Sequence, residues 1–273
     1  MTALVVVFAG LFGLAFGSFA NVVAYRVPAG VSLLRPSSCP SCAAPVRSWQ
    51  NIPLLSWLLL RGRCARCAAP ISRRYPVVEA ANGIAFAGLA WFVPAALGLS
   101  GVPGGLVWAA FAWFAIASSV LVLIDLDTRR LPDVIVLPSY VAGLVLLALA
   151  CVFGADWWAL LRATAGMAAM YAAYGLIRLF RPDGMGGGDV KLAGVAGLYL
   201  GWLGWGPLAV GWLAAFLLGG GFAVALIARG RATRGSAVAF GPWLLAGTWV
   251  GIFFGNWVWS AYTALGTTIL TKG

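Results

Sequence analysis

Asp125 and Asp189 are the residues of this sequence whose type and setting point most directly to chemistry. The chain has only seven acidic residues, Glu79, Asp125, Asp127, Asp133, Asp156, Asp183 and Asp189, so the position of each is informative. Asp125 follows the apolar run ending Ser118 to Ile124, and Asp189 stands between GMGGG and the next apolar run. An ionisable group at membrane depth is costly and by default marks function. Two carboxyls brought close share one proton, because like charges at short range cannot both ionise, and such a pair activates water as acid and base together. That is peptide hydrolysis without metal or covalent nucleophile. The chain contains no histidine, which removes the usual Ser–His and Cys–His couples. Gly186, Gly187 and Gly188 carry no side chains, so they form an approach loop where an extended substrate strand could come close to the backbone beside Asp189. The competing reading is helix capping. Asp189 is well placed as an N-cap for a helix starting at Val190, and Asp127, Asp133 and Asp183 read as loop or cap residues. Asp125 fits capping less well, since a carboxylate at a helix C-terminus opposes the dipole. A phosphate-binding loop fits poorly, because the GKS or GKT ending is absent and Lys191 follows the aspartate.

Four of the five cysteines form two CxxC pairs, Cys39 with Cys42 and Cys64 with Cys67, separated by 21 residues. Each CxxC turn offers two thiolates to one ion, and two turns complete the tetrahedral sulfur shell that zinc favours. Arg63 and Arg66 would help to stabilise the thiolates. Two disulfides are the alternative, which a reducing cytoplasmic face disfavours. With no histidine to mix into an open catalytic site, the expected zinc is structural. It would fold a segment, Arg26 to Pro76, that at about fifty residues is too small to build a full core. Cys151 lies in an apolar run and reads as packing.

The elements that position these groups are membrane helices. The chain is 62% apolar and 9% charged, far from soluble proportions. About eight apolar stretches of roughly twenty residues are each long enough to cross a bilayer, and short alternating segments of the β-barrel kind are absent. The expected fold is an all-α polytopic membrane protein with spans near Leu4 to Tyr25, Val77 to Leu97, Leu106 to Ile124, Val134 to Phe153, Trp157 to Phe180, Val190 to Trp205, Leu208 to Ala228 and Pro242 to Leu265. The first span lacks a basic n-region and is expected to stay as a helix. The domains expected are residues 1–25 as the first transmembrane helix, 26–76 as a cytoplasmic zinc-binding subdomain, and 77–273 as a transmembrane aspartyl peptidase domain. No internal repeat of convincing period stands out.

A net charge of +11 follows topology. Eight arginines lie between Arg26 and Arg74, and Arg129, Arg130, Arg178, Arg181, Lys191, Arg229, Arg231 and Arg234 fall after every second span. All sixteen share one face, with Arg162 and Lys272 as exceptions. By the positive-inside rule that face is cytoplasmic, which puts both termini on the periplasmic side and the aspartates and cysteines on the cytoplasmic side. No basic stripe is left over for nucleic acid. Gly13 and Gly17 form a GxxxG pair suited to close helix contact. Trp157, Trp158, Trp202, Trp205 and Trp243 read mostly as interfacial anchors.

Taken in order, GSFANVVAYRVP at Gly17 to Pro28, CPSC, NIPLLSW at Asn51 to Trp57, GRCARC, ISRRYPVVE at Ile71 to Glu79, IDLDTRRLPD at Ile124 to Asp133, GMGGGDVKL at Gly184 to Leu192 and FGP at Phe240 to Pro242 resemble the type IV prepilin peptidase family. This is a family of bifunctional leader peptidases and N-methyltransferases of type IV pilus and type II secretion systems, within the GxGD intramembrane aspartyl proteases. The resemblance implies a bacterial inner-membrane enzyme that cuts prepilins and pseudopilins on the cytoplasmic side, after a glycine between a basic leader and an apolar helix. It maps the catalytic aspartates onto Asp125 and Asp189. It also implies methylation of the new N-terminus with S-adenosylmethionine, a role associated with the N-terminal cytoplasmic part. Glu79 is a candidate there, or else a cap or interfacial charge. No dinucleotide-type glycine fingerprint occurs to bind that cofactor. Ala239 stands before FGP where many relatives carry proline.

Two other function classes compete. In a transporter or ion pathway the two aspartates would bind cations or relay protons, but such groups usually lie near midplane rather than at one interface. A zinc-bearing assembly scaffold would need no dyad.

Overall fold

The structure, a computed structural model, describes residues 2–182, 184–231 and 239–270. Asp183, Arg234 and Lys272, assigned above from the sequence, lie outside the described residues. Among those residues the chain is helical: α1 (Thr2–Arg26), α2 (Leu55–Leu59), α3 (Arg74–Leu97), α4 (Gly101–Thr128), α5 (Asp133–Val152), α6 (Trp157–Phe180), α7 (Gly187–Leu203), α8 (Trp205–Ala228) and α9 (Gly241–Leu270). Six of these, α1, α3, α4, α5, α6 and α8, are long and apolar enough to cross a membrane. The span expected from Val190 to Trp205 ends instead at Leu203, and Trp205 opens α8. Between them Gly204 takes φ 149°, a conformation open to glycine and strained for other residues.

Residues 1–124 form one compact unit. Its core is the pairing of α1 with α3, and the expected GxxxG pair is at the contact. A Cβ on Gly17 would lie 2.7 Å from the Glu79 Cα, and one on Gly13 would lie 2.8 Å from the Phe86 Cβ. Only hydrogen at these positions lets the backbones approach this closely. Polar side chains add hydrogen bonds within the packed helices. The Asn82 Nδ2 donates to Ser119 Oγ of α4 at 2.8 Å, and Trp108 Nε1 donates to the Phe86 carbonyl at 3.3 Å. Arg26 is more than a topology charge. Its Nη1 donates to the carbonyls of Ser32, Leu33 and Arg35 at 3.2, 2.8 and 2.6 Å, so it satisfies the backbone where the chain turns from α1 into the cysteine segment.

Residues 125–273 form a second compact unit built around α7. From Val190 to Leu203 all but Lys191 of this helix is buried, which is why its sequence is apolar on every side. Its glycines admit the neighbours: Gly197 and Gly201 meet Gly166 and Ala163 of α6, and Gly194 meets Tyr140 of α5. Arg162, the exception in the charge pattern, donates from Nε to the Gly201 carbonyl at 2.8 Å and from Nη2 to the Trp202 carbonyl at 2.7 Å. It satisfies carbonyls that the end of α7 leaves open. Trp157, Trp158 and Trp205 are exposed, as anchors would be, but Trp202 is buried, and the Trp243 ring lies tilted against Phe222 with centroids 4.6 Å apart. Those two pack rather than anchor.

Candidate active site and metal centre

Asp125 lies in the last turn of α4, which runs on to Thr128 before Arg129 ends it in the left-handed region at φ 53°. The carboxyl is only 5% exposed, and its Oδ2 has no hydrogen-bond partner. The Gly241 amide lies beside the carboxyl without a well-aligned bond to that oxygen. Such a group is expensive at a helix C-terminus, so capping does not account for it.

Asp189 is the third residue of α7, not its N-cap. The helix starts at Gly187, Gly186 is the cap position, and Asp189 Oδ2 accepts the Gly186 N–H at 3.1 Å. A carboxylate in this first turn satisfies an open donor and faces the positive end of the dipole. Asp189 therefore has a structural role whether or not it has a chemical one. Its charge and that of Asp125 are close enough to interact, and both residues belong to the second unit.

The glycines around Asp189 are more crowded than the sequence suggests. Gly187 and Gly188 are helical, and a Cβ on Gly188 would lie 2.8 Å from the Leu131 Cβ, while one on Gly187 would overlap the Arg178 guanidinium. A Cβ on Gly241 would lie 2.6 Å from Asp125 Oδ2. Leu131, in the turn between α4 and α5, thus packs on the glycine beside Asp189, and it also lies near Gly241. Two bonds from α5 fix the start of α7. Asp133 receives Lys191 Nζ on both oxygens at 2.8 Å, and the Tyr140 hydroxyl donates to the Lys191 carbonyl. Asp133 was expected as a loop or cap residue, and its bond to Lys191 is the part that spacing did not reveal. The supporting roles of Gly241, Leu131 and Tyr140 had no sequence reading. The FGP and IDLDTRRLPD stretches containing the first two were the available signal.

Glu79 lies in the first unit, buried on α3, with Oε2 accepting the Leu54 N–H at 2.8 Å. That bond supports the backbone where Leu54 takes φ 60° ahead of α2.

The cysteine cluster is two copies of one turn. Cys39 N–H donates to the Ala44 carbonyl and Ala43 N–H to the Cys39 carbonyl, both at 2.9 Å; the corresponding bonds from Cys64 to Ala69 and Ala68 to Cys64 are 2.8 and 3.0 Å. Bridges Ser38 to Pro45 and Arg63 to Pro70 close the two turns. The underlying C-x2-C-A-A-P sequence occurs at Cys39 to Pro45 and again at Cys64 to Pro70, a short repeat that a search for long periods overlooks. The four sulfurs lie within 4.8 Å of one another, with Cys39 Sγ 3.8 Å from Cys67 Sγ. A tetrahedral ion with zinc–sulfur bonds of about 2.3 Å sets its sulfurs about 3.8 Å apart, so the cluster fits zinc. Local electrostatics agree. The Arg66 and Cys67 amides hold the Cys64 thiol down to about 6, and the Cys42 and Ser41 amides lower Cys39. For Cys67 the Ala69 amide acts downward but is outweighed by the Cys42 thiol, burial and the other thiols, which push it up to about 11. Four thiols crowded together without a cation resist losing all their protons, and a dication removes that conflict.

Residues 11–93 match the bacterial peptidase A24 N-terminal domain, and residues 108–224 match the type IV leader peptidase family. Three curated proteins named prepilin leader peptidase/N-methyltransferase are similar over nearly their whole length. The one from Stutzerimonas stutzeri is 34% identical, covering 92% of this chain and 91% of that one. The one from Neisseria gonorrhoeae is 35% identical, covering 93% and 92%, and the one from Pseudomonas aeruginosa is 32% identical, covering 92% and 91%. No solved structure matches the chain.

Proposed function

This chain belongs to the type IV leader peptidase family, and on that premise we propose that Asp125 and Asp189 are the carboxyls that hydrolyse its substrate. The enzyme removes the leader peptide of type IV prepilins and N-methylates the product. The observation that carries the assignment of residues is the buried, unpartnered Oδ2 of Asp125 within charge range of Asp189. In the peptide step one carboxyl is ionised and takes a proton from water as the water oxygen bonds to the scissile carbonyl carbon. The other is protonated and gives its proton to the carbonyl oxygen. Collapse of the resulting diol returns a proton to the departing amine as the carbon–nitrogen bond breaks. The cut follows a glycine, between a basic leader and an apolar helix.

Residues 26–76 are the zinc-bearing subdomain, with Cys39, Cys42, Cys64 and Cys67 as ligands, and residues 77–273 carry the peptidase. Counting α7 and α9 with the six apolar helices gives eight spans. The sidedness of the arginines and lysines supports a cytoplasmic site in the bacterial inner membrane with both termini periplasmic. S-adenosylmethionine supplies the methyl group that the new N-terminal amine accepts. No strand occurs among the described residues, so a strand-to-helix nucleotide loop is not what holds it. Glu79 is the candidate contact, with one carboxylate oxygen engaged by Leu54.

The test is leader cleavage by the full chain in detergent, with a peptide carrying a basic leader, a glycine and an apolar helix. Asp125→Ala and Asp189→Ala should each lose about 10³-fold or more in kcat. Label transfer from S-adenosylmethionine to a pre-cut peptide should survive in both. Cleavage that persists in both variants would sink the assignment.

A further inference from the structure

Tyr174 of α6 is fully buried, and its hydroxyl has no hydrogen-bond partner among the described residues. Buried tyrosine hydroxyls usually find a partner, so an orphaned one needs an explanation. Its ring contacts and its neighbour on α6 place it in the region of the two aspartates. The hydroxyl lies near enough to Asp189 to feel its charge. The ring lies against Phe216 and Phe240, with centroids 5.6 and 6.1 Å away, and Phe240 precedes the Gly241 that abuts Asp125. The next residue on α6, Gly175, faces Val190, the residue after Asp189, where an added Cβ would lie 3.9 Å from Val190 Cγ1. Two buried oxygens without a hydrogen-bond partner, Tyr174 Oη and Asp125 Oδ2, therefore lie within charge range of Asp189.

We propose that Tyr174 is a positioning residue of the peptidase site, its hydroxyl donating a hydrogen bond to the Asp189 carboxylate once a substrate peptide and the attacking water enter between the two aspartates. The inference rests on the dyad assignment above. Asp189 already gives one oxygen to the Gly186 amide, so a second donor from α6 fixes the carboxylate from another side. The lone pair that takes the proton from water then points at the water. No proton leaves Tyr174. A donor held in place without a ground-state partner contributes only as the reaction proceeds, which is where preorganisation acts.

Tyr174→Phe keeps the ring and its packing on Phe216 and Phe240, and removes only the hydroxyl. In the full-length enzyme, kcat for leader cleavage should fall about 10-fold or more while KM stays within about twofold. The thermal midpoint should stay level or rise, because an unsatisfied buried hydroxyl is gone. Tyr199→Phe, on the fully buried α7 tyrosine packed against Gly143, should leave kcat unchanged. A Tyr174→Phe enzyme with unchanged kcat overturns the proposal. So does one whose kcat falls together with a lower midpoint and a raised KM, since that pattern is structural. Asp125→Ala and Asp189→Ala run alongside: if both are inactive while Tyr174→Phe is normal, the dyad stands and only the tyrosine role fails.

Discussion

The cysteine cluster and the carboxyl site are assembled in opposite ways. The four cysteines come from two copies of one short turn, and the first and last of them, Cys39 and Cys67, are 28 positions apart. Each turn is closed by its own backbone bonds. The carboxyl site instead gathers the last turn of α4, the first turn of α7, the start of α9 at Gly241 and, by the inference above, Tyr174 of α6. A local site can be complete in its motif, whereas a distributed one depends on packing that holds distant helices in register. The cysteine segment should therefore fail through loss of its ion, and the carboxyl site through sub-ångström crowding.

The largest effect follows from breaking the local site. Cys64→Ser removes one ligand from a cluster whose metal would contribute on the order of 10 kcal/mol, against the 5–15 kcal/mol total stability usual for whole domains. Zinc content measured on the purified full chain should fall to near zero. Trypsin should then cut at Arg47, Arg61, Arg63 or Arg66 faster than it does in the parent. An unchanged zinc content would mean that Cys64 is not a ligand, and lost zinc with an unchanged digestion pattern would mean that the turns hold together without metal.

The distributed site should break with a change of one methyl group. At Gly241 an added Cβ would lie 2.6 Å from Asp125 Oδ2, whereas at Gly220 it would meet nothing within 4 Å. Gly241→Ala should cost about 1–3 kcal/mol of overpacking and lower kcat/KM for leader cleavage about 10- to 100-fold. Gly220→Ala should leave both within error. If the two alanine variants behave alike in a cleavage assay and a thermal melt, the contact of Gly241 with Asp125 does not govern the site.

This difference in construction also decides what could be read from the sequence. The helices were legible because each apolar run is long and punctuated, and the cysteine cluster because CxxC spacing states the geometry outright. Asp125 was legible as an anomaly, a carboxylate at the wrong end of a helix. Asp189 looked like a cap and sits as the N3 residue instead, since helix ends shift by a residue or two without changing the pattern that announces them. The contact of Leu131 with Gly188, the pairing of Lys191 with Asp133 and the burial of Tyr174 and Trp202 were not legible. Each depends on which helices become neighbours, and nothing in the period of a single apolar helix fixes that when it is apolar all round. Arg162 shows the same limit from the other side. It looked like a topology error and is a C-terminal cap for α7.

The smallest effect separates backbone handedness from mere flexibility inside the repeated turn. Ala43 and Ala68, the residues after each second cysteine, have φ 55° and 58°, while Ala44 and Ala69 beside them do not have positive φ. An alanine in the left-handed region is strained by its Cβ and glycine is not, but glycine also loses more chain entropy on folding. The two effects oppose each other at Ala43 and Ala68, and only the entropy cost operates at Ala44 and Ala69. Ala43→Gly or Ala68→Gly should therefore gain a few tenths to about 1 kcal/mol, and Ala44→Gly or Ala69→Gly should lose about 0.5–1 kcal/mol. Because metal binding and folding of the turn are linked, competition with a chelator reads the difference directly. Zinc should be held up to about 5-fold tighter in the first pair and about 2- to 5-fold weaker in the second. If all four glycine variants shift in the same direction, handedness is not what the two alanines strain against.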